Sequence, residues 1–161
     1  MVQENVSKID TSTPPFRVNV VYAIPAMNEL KRRFPAYVNP AYDGIAFKPI
    51  KVCEGVSRET REIEPEYVHL ERHVSNDAAL AEIDKRGLRP CLPEELIAFG
   101  DAYPKEQRKF PIVALGSGAG VDGDRRVACL WDGGNGRGLR LVSVGDGWSV
   151  LCRVLAVRKS A

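Results

Sequence analysis

PIVALGSGAGVDGDRRVACLWDGGNGRGLRLVSVGDGWSVLCRVLAVRK, residues 111–159, holds ten of the fourteen glycines and both tryptophans. Its ends are apolar and regular, and its middle is small, polar and turn-prone, the composition of a rigid frame around an irregular surface. PIVALG reads as a short apolar strand, RRVACLW as a second, GLRLVS as a third with Leu139 and Leu141 inward, and VLCRVLAVR as a last. In that last run Cys152, Val154, Ala156 and Arg158 alternate with Leu151, Arg153, Leu155 and Val157, so the two sets face opposite ways.

Two amphipathic helices precede this segment. The first starts near Asn76, which is placed to cap it; Ala79, Leu80 and Ile83 form its apolar stripe and Gly87 closes it. The second opens at Pro93 with Glu94 and Glu95 in its first turn, where the helix dipole favours anions, and buries Leu92, Leu96, Phe99 and Tyr103 along one face. Further upstream, FRVNVVY (16–22) alternates as a half-buried strand, and IAFKPIKVCEGV with the charged run to Val74 supplies two or three antiparallel strands. Pro25 opens a short helix through Phe34, AYVNPAYDG is a loop, and residues 1–15 form a flexible leader. Strands, then two helices, then a run of strands describe an α+β class with a mostly antiparallel, irregular sheet, and 161 residues suit a single domain over 16–161.

Composition narrows the function classes. A formal net charge of +2 leaves no electrostatic footprint of a nucleic-acid binder over the whole chain. No apolar run is long enough to span a bilayer and the N-terminus lacks the order of a signal peptide, so a cytoplasmic or virion-associated location is expected. Cys53, Cys91, Cys129 and Cys152 have no CxxC spacing and read as free thiols, although two disulfides remain compatible with the count.

The motifs that suggest chemistry are weak. Gly118 to Gly123 spells GxGxxG after an apolar run, but no helix pattern follows it and no GK[ST] is present, so it reads as a glycine-rich loop. In EIEPEYVHLERHV, Tyr67, His69, Glu71 and His73 share one strand face; the two histidines lack a third ligand, and HLERH is not HExxH. Asp122, Asp124, Asp132 and Asp146 do not have EF-hand spacing, and Ser117 does not sit in a GxSxG elbow. No cofactor or metal is expected. Loops of Gly, Ser, Asp and Asn with interspersed Trp and Arg match binding paratopes, which makes Trp131, Trp148, Arg126, Arg137 and Arg140 candidate anchors.

The ordered set Gly87-Leu88-Arg89-Pro90, PEELIAFG, FPIVALGS, Val127 to Trp131, Arg137-Gly138-Leu139-Arg140-Leu141 and Arg153 to Arg158 resembles the variable proteins of diversity-generating retroelements, over about residues 75–159. The resemblance implies a C-type lectin-like fold whose C-terminal strands and loops, about residues 116–153, display a hypervariable ligand-binding surface rewritten at adenine-containing codons. It implies variable slots at Gly138, Arg140 and Val142 between frame residues Arg137, Leu139 and Leu141. It extends them to Arg126, Cys129, Asp132, Gly133, Gly134, Val144, Gly145, Ser149, Leu151 and Cys152, with Trp148 as a further contact. The partner implied is a macromolecule, a protein rather than nucleic acid, and the role is not enzymatic. The alternatives are a small formylglycine-generating-like enzyme, for which Cys129 and Cys152 are the nearest thiols, and a structural phage-particle component. Leu92 stands where such sequences carry Thr, which implies a lost helix cap of about 1 kcal/mol.

Overall fold

In the computed structural model the described residues are 15–22, 45–134 and 136–160. Among them nine strands and two α-helices follow in the order β1 (Val18–Val20), β2 (Lys48–Pro49), β3 (Arg61–Ile63), β4 (Glu66–His69), α1 (Asn76–Lys85), β5 (Leu88–Pro90), α2 (Pro93–Ala102), β6 (Ile112–Val121), β7 (Asp124–Asp132), β8 (Arg137–Ser143) and β9 (Arg153–Arg158). This is an α+β architecture. The leader apart from Pro15, the helix expected from Pro25 and the loop up to Gly44 lie outside the described residues. No helix among the described residues is long and apolar enough to cross a membrane.

The main sheet has seven strands in the order β4-β9-β6-β7-β8, with β2 paired to β6 and β5 to β9. All pairings are antiparallel except β6 with β9, where Ile112 lies beside Arg153 and Val113 beside Val154. β1 and β3 form a separate two-stranded ribbon. Both faces of the main sheet are covered. On one face Ala114, Ala128, Leu130, Leu139, Leu141 and Leu155 pack with α2 and β1. Phe16 lies at the centre of that layer, its ring edge-on to Phe99 at 4.9 Å and to Tyr103 at 4.7 Å. On the other face Val113, Val127, Cys129, Val154 and Ala156 pack with Ala79 and Ile83 of α1 and with Trp148.

The glycine-rich loop expected at GSGAG is instead part of β6, and Gly116 to Ala119 are buried. Its register against β7 shifts between Ala114 and Ala119. At that irregularity Gly116 donates to Cys91 O at 2.9 Å and accepts from Ile50 N at 2.9 Å, and a Cβ there would stand 2.6 Å from Cys91 O. Only glycine allows that approach. The last residues of the GxGxxG are a two-residue hairpin turn, Asp122 (φ 53°) and Gly123 (φ 78°). Positive φ at both central positions is the type I′ geometry that Asp-Gly favours between twisted antiparallel strands. The motif is therefore strand and turn, with no helix N-terminus to receive a phosphate.

Ser75, not Asn76, caps α1: its Oγ accepts from Ala78 N at 3.1 Å. Gly87, at φ 76°, follows the helix in the left-handed region as expected. At α2, Leu92 offers no side-chain acceptor, but Glu95 accepts from Leu92 N at 2.7 Å, so the second half of a capping box survives the loss of the first. Glu95 is also completely buried and grips Arg89 through two bonds of 2.9 and 2.8 Å, while the Tyr22 hydroxyl donates to it at 2.5 Å. β4 is shorter than the alternation suggested and ends at His69, with Val68 and Leu70 buried and Arg72 exposed. All four cysteines are unpaired thiols.

Candidate functional site

Most of the candidate residues lie on β7, on β8 and in the loop from Val144 to Cys152. The register pairs Val127 with Val142, Cys129 with Arg140 and Trp131 with Gly138, and these six share the sheet face that carries Trp148. Ala128 with Leu141 and Leu130 with Leu139 point the other way, toward α2. Along β8 the expected interleaving corresponds to the two faces of the sheet, but on β7 it does not: Arg126, paired with Ser143, and Asp132, paired with Arg137, stand on the side of Leu139 and Leu141, and only Cys129 shares the face of Arg140.

At the open end of this face the Arg140 guanidinium lies over the Trp131 ring, 4.4 Å from its centroid. Arg140 is exposed and Trp131 half-buried. Gly133 folds back on the same indole: a Cβ there would stand 2.5 Å from Cζ3. Below the platform, Gln107 is fully buried and its amide donates to Trp131 O at 2.8 Å and Gly138 O at 2.9 Å. Arg137 donates to Gln107 Oε1 at 3.3 Å and to Gly100 O at 2.9 Å, so its side chain turns to the α2 side and anchors the start of β8.

The loop between β8 and β9 is tied down along its length. Val74 and Trp148 exchange two backbone bonds of 3.0 and 2.8 Å, and the Trp148 indole N–H donates to Asn76 Oδ1 at 3.0 Å. His73 Nε2 meets Asp146 O at 2.9 Å, and His69 Nε2 meets Val150 O at 3.0 Å. A carbonyl only accepts, so each ring carries its proton on Nε2. Arg153 Nη1 lies 3.3, 3.4 and 3.3 Å from the carbonyls of Val150, Leu151 and Cys152, and its guanidinium stacks on Phe110 at 4.2 Å. Both histidines serve the same loop. Among the described residues no group of three or more His, Cys, Asp or Glu side chains is arranged to hold a metal ion.

The expectation that every variable slot faces solvent is not met, because a second layer covers much of this face. Cys129 is 2% exposed, Trp148 4%, and Gly138 is buried. Trp148 therefore belongs to the core. Burial pushes the Cys129 thiol up to about 12 despite the opposing effect of Arg140. Val142, Val144 and Cys152 are half-buried against the same cluster. Arg126 is half-buried and donates to Asp124 Oδ2 at 3.1 Å. Asp132 accepts from Gly134 N at 2.8 Å, and Ser149 Oγ accepts from Leu151 N at 3.2 Å. Arg140, Gly133, Gly134, Gly145 and Leu151 remain at the surface.

Sequence reasoning missed Gln107, which nothing in PKEQRKF distinguishes from a solvated residue. It did set His69 and His73 on one face, and that was the available signal for their shared role. Compared with protein-family models, curated proteins and solved structures, the chain shows no significant match.

Proposed function

We propose that this chain is a binding protein, of a C-type-lectin-like kind, that presents the β7–β8 face and the β8–β9 loop to a protein ligand and whose exposed positions there are diversified by a retroelement. One observation carries the reading. Along β8, the residues assigned to the frame, Arg137, Leu139 and Leu141, turn toward α2, and those assigned as variable, Gly138, Arg140 and Val142, turn to the opposite face. A protein that must tolerate replacement at some positions has to separate them from the side chains that hold the fold, and a strand does this by alternation.

The chemistry favours binding over catalysis. The enzyme alternative depends on Cys129 and Cys152, and a thiol held near 12 is protonated at neutral pH and a weak nucleophile. The face instead offers a stacked Arg and Trp on a supported hairpin and an anchored loop with an aliphatic tip, which suits contact with a macromolecule.

The reading has a direct test in the DNA. A near-copy of the codons for residues 116–159, differing at adenines and lying beside a reverse-transcriptase gene, is the expected finding; the absence of both removes the basis of the proposal. Its protein-level counterpart places affinity in Arg140 and Leu151, and not in the buried Trp148.

A further inference from the structure

The charges of the two faces differ in their freedom. The ion pairs Arg126–Asp124 and Arg108–Asp132 belong to the α2 side of the sheet, since Arg126 pairs with Ser143 and Asp132 with Arg137, whereas on the opposite face Arg140 and the exposed Arg125 have no carboxylate partner among the described residues. The neighbours of Arg140 across the rung and along the strand, Cys129, Gly138 and Val142, are uncharged. The Trp131 ring fixes the guanidinium plane, so its N–H edges are already oriented before any partner arrives.

A second contact group lies at the other side of the same face. Val154, Val113, Cys129 and Arg140 line up across β9, β6, β7 and β8. Arg140 is therefore three strand spacings, about 14 Å, from the start of β9. Just before that start, Val150 and Leu151 are 42% and 68% exposed, two of the four large hydrophobic residues at the surface among the described residues. Their turn is held by His69 and Arg153 through its carbonyls, so the two side chains project from a fixed backbone. A patch of about 800 Å² covers both groups.

We infer that this face takes a protein segment carrying a carboxylate beside an aliphatic or aromatic group, the carboxylate on Arg140 and the apolar group against Val150 and Leu151. This rests on the binding reading above and names the chemistry of the partner. Covering Arg140 without an anion would strand a cation in a poorly solvated interface, so a partner that covers it supplies a counter-charge. The planar guanidinium edge matches a carboxylate bidentately. A nucleic-acid backbone requires a row of cations to track its phosphates, and among the described residues the unpaired cations of this face, Arg140 and Arg125, stand four rungs apart among neutral and aliphatic groups.

The experiment pans a displayed library of random peptides against the immobilised full chain, then measures the enriched peptides against the parent protein, Arg140→Gln and Leu151→Ser. Both side chains are exposed, and the two variants are first checked to melt with the parent. Expected peptides carry Asp or Glu within a few residues of Leu, Ile or Phe, and lose about tenfold or more in affinity on each variant. Acid-free peptides that bind Arg140→Gln as tightly as the parent, yet depend on Leu151, overturn the carboxylate inference and leave the binding reading standing. Peptides indifferent to both substitutions overturn the inference and count against the proposed face as well. A library that enriches nothing beyond the blank support also overturns the inference.

Discussion

Replacing Glu95 by Leu tests how far the fold depends on one buried charge. Glu95 is 0% exposed and its carboxylate accepts four bonds: Arg89 Nη1 at 2.9 Å, Arg89 Nη2 at 2.8 Å, the Tyr22 hydroxyl at 2.5 Å and Leu92 N at 2.7 Å. The substitution removes the carboxylate that the Arg89 guanidinium grips, in a site where Arg89 is itself 1% exposed. Breaking such a pair from one side costs about 3–5 kcal/mol, because the remaining charge stays out of water. The orphaned Tyr22 hydroxyl and Leu92 N–H place the total toward the upper end of that range. Set against an ordinary stability of about 5–15 kcal/mol, this is a large fraction, and for a chain of this size it lowers Tm by about 8–20 °C. Urea unfolding followed by far-UV circular dichroism measures it. The double variant Arg89→Met with Glu95→Leu removes the stranded cation and is expected to regain at least half of the loss. A single-variant loss under about 1 kcal/mol, or a double variant no more stable than the single, refutes the argument that an uncompensated charge is what destabilises the protein.

Gly147 and Gly145 are expected to respond oppositely to Ala. Gly147 has φ 69° and a Cβ there would stand 2.5 Å from Val74 O, so Gly147→Ala costs about 1–3 kcal/mol, whereas Gly145→Ala leaves thermal melting nearly unchanged. Native thiol titration at neutral pH should find one thiol, Cys152, reacting early, with Cys53, Cys91 and Cys129 reacting only on unfolding; rapid labelling of Cys129, located by mass spectrometry, contradicts the burial argument. Stability should fall on the alkaline side. Burial raises Cys53 from 9.0 to about 11 and Cys129 from 9.0 to about 12, so the unfolded chain binds fewer protons above the ordinary thiol value. Their contribution is complete below about pH 9 and is lost as pH climbs through 11 to 12, a slope that Cys129→Ala should flatten in urea midpoints measured against pH.

The parts of the fold that sequence revealed are those governed by local physics. Pro93 starts α2 and Gly87 follows α1 because each residue suits one backbone geometry, and the alternation of Leu139 and Leu141 states which face of β8 is inward. β6 was misread because glycine and alanine carry no periodic signal, although hydrogen bonding continues through Gly116 to Gly120. The Asp122-Gly123 turn was hidden by the motif that overlaps it. The candidate face was half legible: alternation separates Gly138, Arg140 and Val142 from the frame, but a single strand does not reveal that α1 and Trp148 cover part of the outer side. Arg89 with Glu95 escaped for a related reason. Each looks like a surface charge, and only their common burial, with Tyr22 from far upstream, makes them a unit.

The position of β9 in the sheet has a consequence for how the chain is made. It is the last strand in chain order, yet it stands between β4 and β6 and also pairs with β5. As the chain leaves the ribosome, β4, β5 and β6 have no shared partner until residues 153–158 emerge, so the sheet cannot close progressively from one end. The β8–β9 loop is translated just before this closing strand, while its anchors His69 and His73 have long been outside. A ribosome that stops within the loop therefore releases a chain that lacks an inner strand of the sheet, and the edges of β4, β5 and β6 that this strand pairs stay open to association with other chains.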